Sequence, residues 1–206
     1  MRGLTLIWVL ASAAELHATG AIQEQLREAK AAGKRGEFEP LVELARSGTA
    51  VAKEEAAEAL SNLAASNGES RVEIAAAGGI APLVELARSG TDGAKEEAVA
   101  ALRNLAADNA DNKVAIAAAG GITPLVELAR SGTDGAKEKA AGALGNLALN
   151  DDNEVAIAAA GGIAPLVELA RSGTAVAKEQ AAAALWVLGG NADNRREMGR
   201  LGYQPR

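Results

Sequence analysis

Apolar residues in this chain recur at the spacing of an α-helix and not in the alternating pattern of a strand. Between Asp134 and Ala148 they stand at offsets of 4, 7, 8 and 11 residues from the first of them: Ala136, Ala140, Ala143, Leu144 and Leu147. These offsets place all five side chains on one face of a helix. The segment is therefore predicted to be a helix with that face turned inward.

A shorter helix is predicted earlier in the same stretch. It spans Asn112–Ala119, with Val114 and Ile116 as its apolar anchors. Gly120-Gly121 ends it, because glycine adopts the positive φ of a sharp turn without steric cost.

A second helix follows, with Pro124 in its first turn. Proline is tolerated there because its missing N–H has no helical partner in any case. This helix ends at Ser131-Gly132, and Asn150–Asn153 is predicted as a polar link to the next unit. One unit thus consists of a short helix, a second helix and a longer third helix.

The unit is repeated along the chain. Its proline recurs at intervals of 42, 42 and 41 residues, at Pro40, Pro82, Pro124 and Pro165. A period in this range is typical of solenoids, in which single units cannot bury their own apolar faces and must stack. We expect an all-α solenoid with about four recognisable repeats and partial units at its ends.

Three segments are predicted. Residues 1–36 form a divergent N-terminal repeat or cap, residues 37–193 form the repeat array, and residues 194–206 begin a truncated further repeat. The first segment has apolar residues at loosely helical spacing and ends in the glycine-containing stretch Gly33–Gly36. The last has Pro205 in the proline position, 40 residues after Pro165.

Composition excludes several functions. The 206 residues carry a net charge of −6, which argues against nucleic acid and mildly favours a basic partner. There is no cysteine, so disulfides and thiolate metal sites are excluded. No apolar run approaches the roughly 18 residues of a membrane helix.

The N-terminus permits two interpretations. The apolar run Leu4–Leu10, followed by small residues, has the outline of a secretory signal. Its segment Ile7–Leu10 also matches Leu185–Leu188 inside a repeat, and this favours a repeat helix. We therefore expect a cytoplasmic or nuclear protein, with secretion as the alternative.

Residues for catalysis or cofactor binding are not combined in any known pattern. His17 is the single histidine and has no partner at motif spacing. The glycine pairs follow helices instead of strands, so they are not phosphate-binding loops. No catalytic residue, metal ligand or cofactor is predicted, and the chain is not expected to be an enzyme.

The repeat resembles the armadillo repeat. The resemblance lies in the turn Gly-Gly-Ile-x-Pro-Leu-Val-Glu-Leu and in the third-helix pattern Ala-x-x-Ala-Leu-x-Asn-Leu-Ala, over Arg71–Gly189 and, less closely, Pro40–Asn67. Among armadillo proteins it looks most like plant U-box proteins and vacuolar adaptors, although the U-box is absent. The resemblance implies a right-handed superhelix whose third helices line a concave groove.

The resemblance also implies a row of peptide-binding asparagines. In the family, a third-helix asparagine hydrogen-bonds the backbone of an extended peptide, and the matching residues here are Asn62, Asn104 and Asn146. Val187 replaces the asparagine in the last repeat. The alternative is that these side chains bond a neighbouring part of the protein. The tryptophan row of importins is missing, with Glu58, Ala100 and Gly142 in its place.

Charged residues beside this row complete the candidate site. Glu55 and Glu97 lie about 20° from the asparagines on a helical wheel, whereas a second row lies about 80° away on the predicted solvent flank: Glu54, Glu96, Glu138 and Glu179. The acidic rows suit a basic peptide, or else form a solvated face. The full candidate set is Asn62, Asn104, Asn146, Glu55, Glu97, Glu58, Arg103 and Trp186.

The predicted function is a non-catalytic scaffold that binds an extended protein or peptide segment. One alternative is self-association through the uncovered terminal repeats. Another is that the chain is the substrate-recognition part of a larger protein such as a ubiquitin ligase. The near-identity of the repeats also fits an engineered consensus array, although the irregular ends favour a natural gene.

Overall fold

The computed structural model describes residues 20–204, and all regular elements in this part of the chain are α-helices. Helix α1 covers residues 20–33 and precedes the regular repeats. The first helices of the units are α4 (Gly68–Ala76), α7 (Ala110–Ala118), α10 (Asp151–Ala159) and α13 (Ala192–Arg200). The second helices are α2 (Glu39–Ser47), α5 (Ile80–Ser89), α8 (Ile122–Ser131) and α11 (Ile163–Ser172). The third helices are α3 (Ala50–Ser66), α6 (Asp92–Ala106), α9 (Asp134–Leu147) and α12 (Ala175–Leu188).

The helix boundaries follow from capping residues that recur once per unit. Each third helix begins after a threonine whose hydroxyl accepts a hydrogen bond from the backbone N–H three residues later: Thr49, Thr91, Thr133 and Thr174. Each first helix begins in the same way after an asparagine: Asn67, Asn109, Asn150 and Asn191. Glycines with positive φ follow the first helices, as Gly120 does at 75°.

The core is a single layer of apolar side chains that continues from one unit to the next. All five inward positions predicted for the third helix are buried: Ala136, Ala140, Ala143, Leu144 and Leu147. Neighbouring third helices pack directly against each other, whereas neighbouring first helices barely touch. Since the third helices are the most closely packed layer, the array curves with them on the inside.

Two predictions about the shorter helices are wrong. Ile116 is fully buried, but Val114 is 52% exposed and is not an anchor. The segment Asn150–Asn153 is not a link, because Asp151 already begins α10 and Asn150 is its N-cap. Asn153 lies in the first turn of that helix and is buried. The polar stretch is thus a helix N-cap followed by the first turn of the helix.

Both ends of the described chain pack against the array. Leu26 and Ala29 of α1 are buried, and Ile22 is half-buried. At the other end, Met198 of α13 is fully buried, and Arg171 Nη2 donates hydrogen bonds to the carbonyl oxygen of Leu201 at 2.6 Å and of Gly202 at 2.9 Å. The predictions that rest on Leu4–Leu10, His17 and Pro205 lie outside the described residues.

Within residues 20–204, no single helix is long and apolar enough to cross a membrane. Two pairs of consecutive helices, α7 with α8 and α10 with α11, meet the length and composition criteria only when taken together, and each pair is bent by 83°.

Replacement of Ile116 by alanine should lower the free energy of unfolding by about 2–5 kcal/mol, because it leaves a cavity in the layer between repeats. The matched control is Val114→Ala, two residues away on the same helix. It should change stability by no more than about 0.5 kcal/mol, since that side chain faces solvent. Urea denaturation followed by circular dichroism measures both, and equal losses for the two variants would contradict this assignment of the buried face.

Candidate functional site

The inner face is the surface that the third helices present at positions equivalent to Glu55, Glu58 and Asn62. Four helices contribute to it in order: α3, α6, α9 and α12. Since the third helices are equivalent elements of consecutive repeats, residues at the same repeat position form a row that crosses the helices, with one residue on each helix. The predicted site residues lie on or beside this face, but they make different contacts.

Asn104 and Asn146 connect neighbouring third helices. Asn104 Nδ2 donates to the carbonyl oxygen of Ser61 at 3.0 Å and to its hydroxyl at 3.3 Å. Asn146 Nδ2 donates to the carbonyl oxygen of Arg103 at 3.0 Å. Their Oδ1 atoms have no donor among residues 20–204, so each side chain keeps an acceptor that points away from the bond it makes.

Asn62 lies at the other end of the row and is exposed. It lines a cavity of about 250 Å³ together with Lys30, Lys34, Glu58, Ala59 and Leu63. Within the described chain its amide makes no hydrogen bond. Glu58 beside it is exposed and forms no ion pair with residues 20–204, so these two side chains form a polar group at this end of the inner face.

The glutamates predicted on the solvent flank are in fact inter-repeat contacts. Glu54 Oε2 accepts a hydrogen bond from the hydroxyl of Thr91 at 3.1 Å, and Glu96 Oε2 does the same with Thr133 at 3.1 Å. Glu138 accepts from Thr174 in the next junction. Each carboxylate therefore lies at the N-terminus of the following third helix, where the helix dipole favours negative charge. The prediction of a solvent flank is wrong for these three residues.

Glycines lie against two of these three carboxylates. The carboxylate of Glu54 occupies the space that a Cβ atom on Gly93 would need, and Glu96 does the same at Gly135. The contact does not require glycine, however, since Val176 holds the equivalent position at the junction where Glu138 meets Thr174. Glu179, the equivalent residue of α12, is exposed.

The acidic residues nearest the asparagine row are paired with lysines. Lys30 forms an ion pair with Glu55. Lys139 Nζ lies 3.0 Å from Glu96 Oε1 and 3.1 Å from Glu97 Oε1. The two predicted acidic partners of a basic peptide, Glu55 and Glu97, are therefore already neutralised in part by the protein itself.

These contacts shift the pKa of both groups. The hydrogen bond from Lys139 lowers the pKa of Glu96 below its ordinary value, against the opposing effect of partial burial. Burial alone would lower the pKa of Lys139, but its hydrogen bonds to Glu96 and Glu97 outweigh burial and raise it. Both shifts favour the charged pair.

Arg103 extends from α6 across α9 towards α12. Its Nη2 atom donates to Gln180 Oε1 at 3.2 Å. It passes over Gly142, where a Cβ atom would lie 2.7 Å from Arg103 Nε and 2.7 Å from Gln180 Oε1. Gly142 stands where importins have a tryptophan, and its missing side chain leaves the space that the arginine fills.

Trp186 lies apart from the other candidates. Its equivalents in the earlier helices, among them Ser61 and Gly145, face the next third helix: a Cβ atom on Gly145 would lie 3.3 Å from Ala184 Cβ. Trp186 therefore points away from α9, at the end of the inner layer, and it is 68% exposed. In the described structure Asn146 contacts Arg103, and Asn62 lies beside Glu58. Trp186 belongs to neither group.

A second asparagine row was missed by the sequence reasoning. Asn112 Nδ2 donates to the carbonyl oxygens of Arg71 at 3.1 Å and Leu105 at 3.0 Å. Asn153 Nδ2 donates to the carbonyl oxygen of Lys113 at 3.1 Å. Both side chains are buried, as is that of Asn194. The sequence does carry a signal, since each follows a capping asparagine by three residues.

No group of three or more histidine and acidic side chains within residues 20–204 could hold a metal ion. Every buried polar side-chain atom in that part of the chain has a hydrogen-bond partner. The buried asparagines find their partners in contacts between repeats.

Several solved structures with the same fold are designed or engineered proteins. A computationally designed armadillo repeat protein for modular peptide recognition has a TM-score of 0.81 and 26% identity, covering 91% of this chain and 83% of its own. A designed armadillo repeat protein in complex with the peptide (KR)4 has a TM-score of 0.79 and 25% identity, covering 91% and 82%. An engineered protein of the Northeast Structural Genomics Consortium has a TM-score of 0.79 and 32% identity, covering 89% and 78%. No curated protein sequence matches this chain.

Replacement of Lys139 by methionine should raise the pKa of Glu96 towards its ordinary value. Because the folded-state pKa of Glu96 is lowered, its contribution to stability is present above the ordinary carboxyl pKa and is lost as pH falls through the folded-state value. We expect the variant to be less stable near neutral pH by less than about 1 kcal/mol, since the pair is only partly buried. Below the carboxyl range the difference should vanish.

Urea denaturation across this pH range measures the effect. The control is Lys178→Met, which removes the same charge from an exposed position of α12. A stability difference for Lys139→Met that does not change with pH would contradict the ion pair as its cause.

The family comparison agrees with the unit boundaries. The model described as Armadillo/beta-catenin-like repeat matches residues 69–107, 109–149 and 150–189. These segments correspond to the units α4–α6, α7–α9 and α10–α12. The narrower resemblance to plant U-box and vacuolar proteins stays a prediction. In its repeat length, its three-helix units and its right-handed superhelix, this chain belongs to the armadillo repeat family.

Proposed function

We propose that this protein is a non-catalytic scaffold that binds an extended peptide segment along the inner face of its third helices. The observation that carries the proposal is the row of asparagine side chains at equivalent positions of consecutive helices: Asn62, Asn104 and Asn146. Two proteins of similar structure support it, one designed for modular peptide recognition and one in complex with the peptide (KR)4.

The spacing of the row suits an extended ligand. Neighbouring helix axes in packed helices lie about 8–10 Å apart. An extended peptide advances about 3.3 Å per residue, so one helix spacing corresponds to two or three residues. A peptide that crosses the third helices can therefore meet one asparagine every two or three residues.

The hydrogen bonds of the asparagines limit what they offer. Asn104 Nδ2 donates twice to Ser61, so this side chain would receive a peptide N–H group at Oδ1, whereas Asn146 Nδ2 donates once and also keeps one N–H for a peptide carbonyl. Asn62 has both its donor and its acceptor available to a ligand, since its amide makes no bond within residues 20–204. An asparagine amide can serve both purposes. The number of hydrogen-bonding groups available to a ligand is therefore largest at Asn62, at the α3 end of the row.

The ligand is expected to carry both acidic and basic residues, and not a strongly basic sequence. Lys30 and Lys139 pair with the acidic residues next to the row. Glu58 remains exposed and available to a lysine or arginine of the ligand. Affinity should be modest, since ordering a disordered peptide costs conformational entropy.

The test is the binding of a labelled (KR)4 peptide and of mixed-charge peptides to the double variant Asn104→Ala with Asn146→Ala, followed by fluorescence anisotropy. Loss of two hydrogen-bond acceptors should weaken binding about tenfold. The variant also loses the three hydrogen bonds that these side chains make between helices, and this should lower stability by about 1–3 kcal/mol in total.

Asn112→Ala is the matched control, because it breaks buried hydrogen bonds between repeats without touching the inner face. It should lower stability and leave the Kd of the folded protein unchanged. Equal affinity in the wild type and the double variant, or no binding by the wild type, overturns the proposal.

A second candidate function is self-association through the exposed side of α12. Three residues there lack the cover that their equivalents have: Glu179 is exposed and Ala182 is half-buried, and Trp186 is 68% exposed. In the earlier repeats the equivalents of Ala182 are fully buried against the next third helix: Ala57, Val99 and Ala141. A second copy that covers this side would bury the tryptophan, and aromatic side chains dominate the energy of such interfaces.

Light scattering and sedimentation across micromolar concentrations test this candidate. The wild type should gain mass with concentration, and Trp186→Ser should remain monomeric because the apolar anchor is lost. Val114→Ser, which likewise replaces an exposed apolar residue by serine but on a first helix, should behave as the wild type. A wild type that stays monomeric throughout would exclude this function.

A further inference from the structure

Arg103 is a half-buried cation whose side chain is hydrogen-bonded to a neutral residue. Its guanidinium donates to the amide oxygen of Gln180 at 3.2 Å, and no ion pair among residues 20–204 includes it. The acidic residues of the neighbouring helix positions, Glu96 and Glu97, are taken by Lys139. Near Arg103, the acids of the inner face are therefore paired with a lysine, and the arginine has no carboxylate partner within residues 20–204.

The arginine is held in place by its surroundings. Its stem crosses Gly142, and a Cβ atom there would lie 2.7 Å from Nε. Its backbone carbonyl accepts the hydrogen bond of Asn146 at 3.0 Å. A guanidinium has five N–H donors in a planar fork, and the contact with Gln180 uses only part of them. The remaining donors suit the two oxygens of a carboxylate, which guanidinium groups bind in parallel pairs.

We propose that Arg103 is the position at which the ligand's aspartate or glutamate side chain binds. This inference rests on the proposed function, since it assigns a specific contact to a peptide on the inner face. It makes the guanidinium a specificity-determining group, with Gln180 as the residue that orients it. The ligand is then an extended peptide with an acidic residue, not a uniformly basic one.

A second charge on the inner face defines the ligand further. Glu58 is exposed on α3, and the guanidinium of Arg103 lies over α9, two helices further along. Two helix spacings amount to about 16–20 Å. An extended peptide covers this distance in about five or six residues. The ligand that satisfies both groups carries a basic and an acidic residue separated by about that number of positions.

Two probe peptides test the assignment. Both have the sequence (KR)4 with one central lysine replaced, by glutamate in the first and by glutamine in the second. The wild type should bind the glutamate peptide about tenfold more tightly than the glutamine peptide, as expected for one charge-assisted pair. Arg103→Gln should bind the two peptides equally, with its affinity for the glutamine peptide unchanged.

Two further variants separate this contact from folding and from net charge. Gly142→Ala keeps the arginine but places a methyl group against Nε, so it should also remove the preference, and alanine is a better helix former than glycine. Arg88→Gln removes an equal charge from a second helix, where Arg88 pairs with Glu85 at 2.9 Å. It should retain the tenfold preference.

The outcomes are distinguishable. Equal binding of both peptides by the wild type, or a preference that survives in Arg103→Gln, overturns the inference and leaves the scaffold function intact. Failure of the wild type to bind either peptide overturns the proposed function and the inference with it. Circular dichroism of every variant establishes that the compared proteins are folded.

Discussion

The close approach of neighbouring third helices is the constraint on which the rest of the structure depends. Small residues permit it: Ala101, Ala143 and Ala184 are buried at equivalent positions, and Gly145 lies against the last of them. At this distance an asparagine on one helix reaches a backbone carbonyl of the helix before it. A glutamate reaches the N-terminus of the helix after it. Alanine therefore contributes less through its own burial than through the polar contacts that it allows. The curvature of the array has the same origin, since the other helices of each unit are spaced more widely.

Stability and recognition draw on the same polar atoms of the inner face. Both N–H groups of Asn104 and one of Asn146 are used between repeats, as are the carboxylates of Glu96 and Glu97. What remains for a ligand is the acceptor of each asparagine and the second N–H of Asn146, together with the few groups that have no charged partner within the described chain. This division explains why an armadillo surface with many acidic residues need not prefer the most basic peptide. Its usable charge is the part that the protein has not already neutralised.

The correct predictions rest on the periodicity of apolar residues. The wrong ones concern short polar segments and contacts between residues far apart in the chain. The spacing of Ala136, Ala140 and Leu144 sufficed to identify the third helix and its buried face. Val114 was misassigned because a short helix with few apolar residues does not define a face. The role of Glu54 depends on Thr91, 37 residues later in the chain, and no local window relates the two. Asn150 and Asn153 were assigned to a link because composition alone does not separate a cap from a loop. Peptide contact by the candidate residues stays a prediction, since it depends on a ligand.

The buried asparagine row has a consequence for how such an array can change in length. Asn112 bonds a carbonyl 41 residues before it, and Asn153 bonds one 40 residues before it. Loss or duplication of one complete unit brings every such asparagine opposite an equivalent carbonyl, so all junctions are recreated. Loss of part of a unit leaves a buried amide without an acceptor, at a cost of about 1–3 kcal/mol for each group. The hydrogen bonds between repeats therefore favour changes in length by whole repeats. Insertions or deletions of part of a repeat are expected to give less stable products.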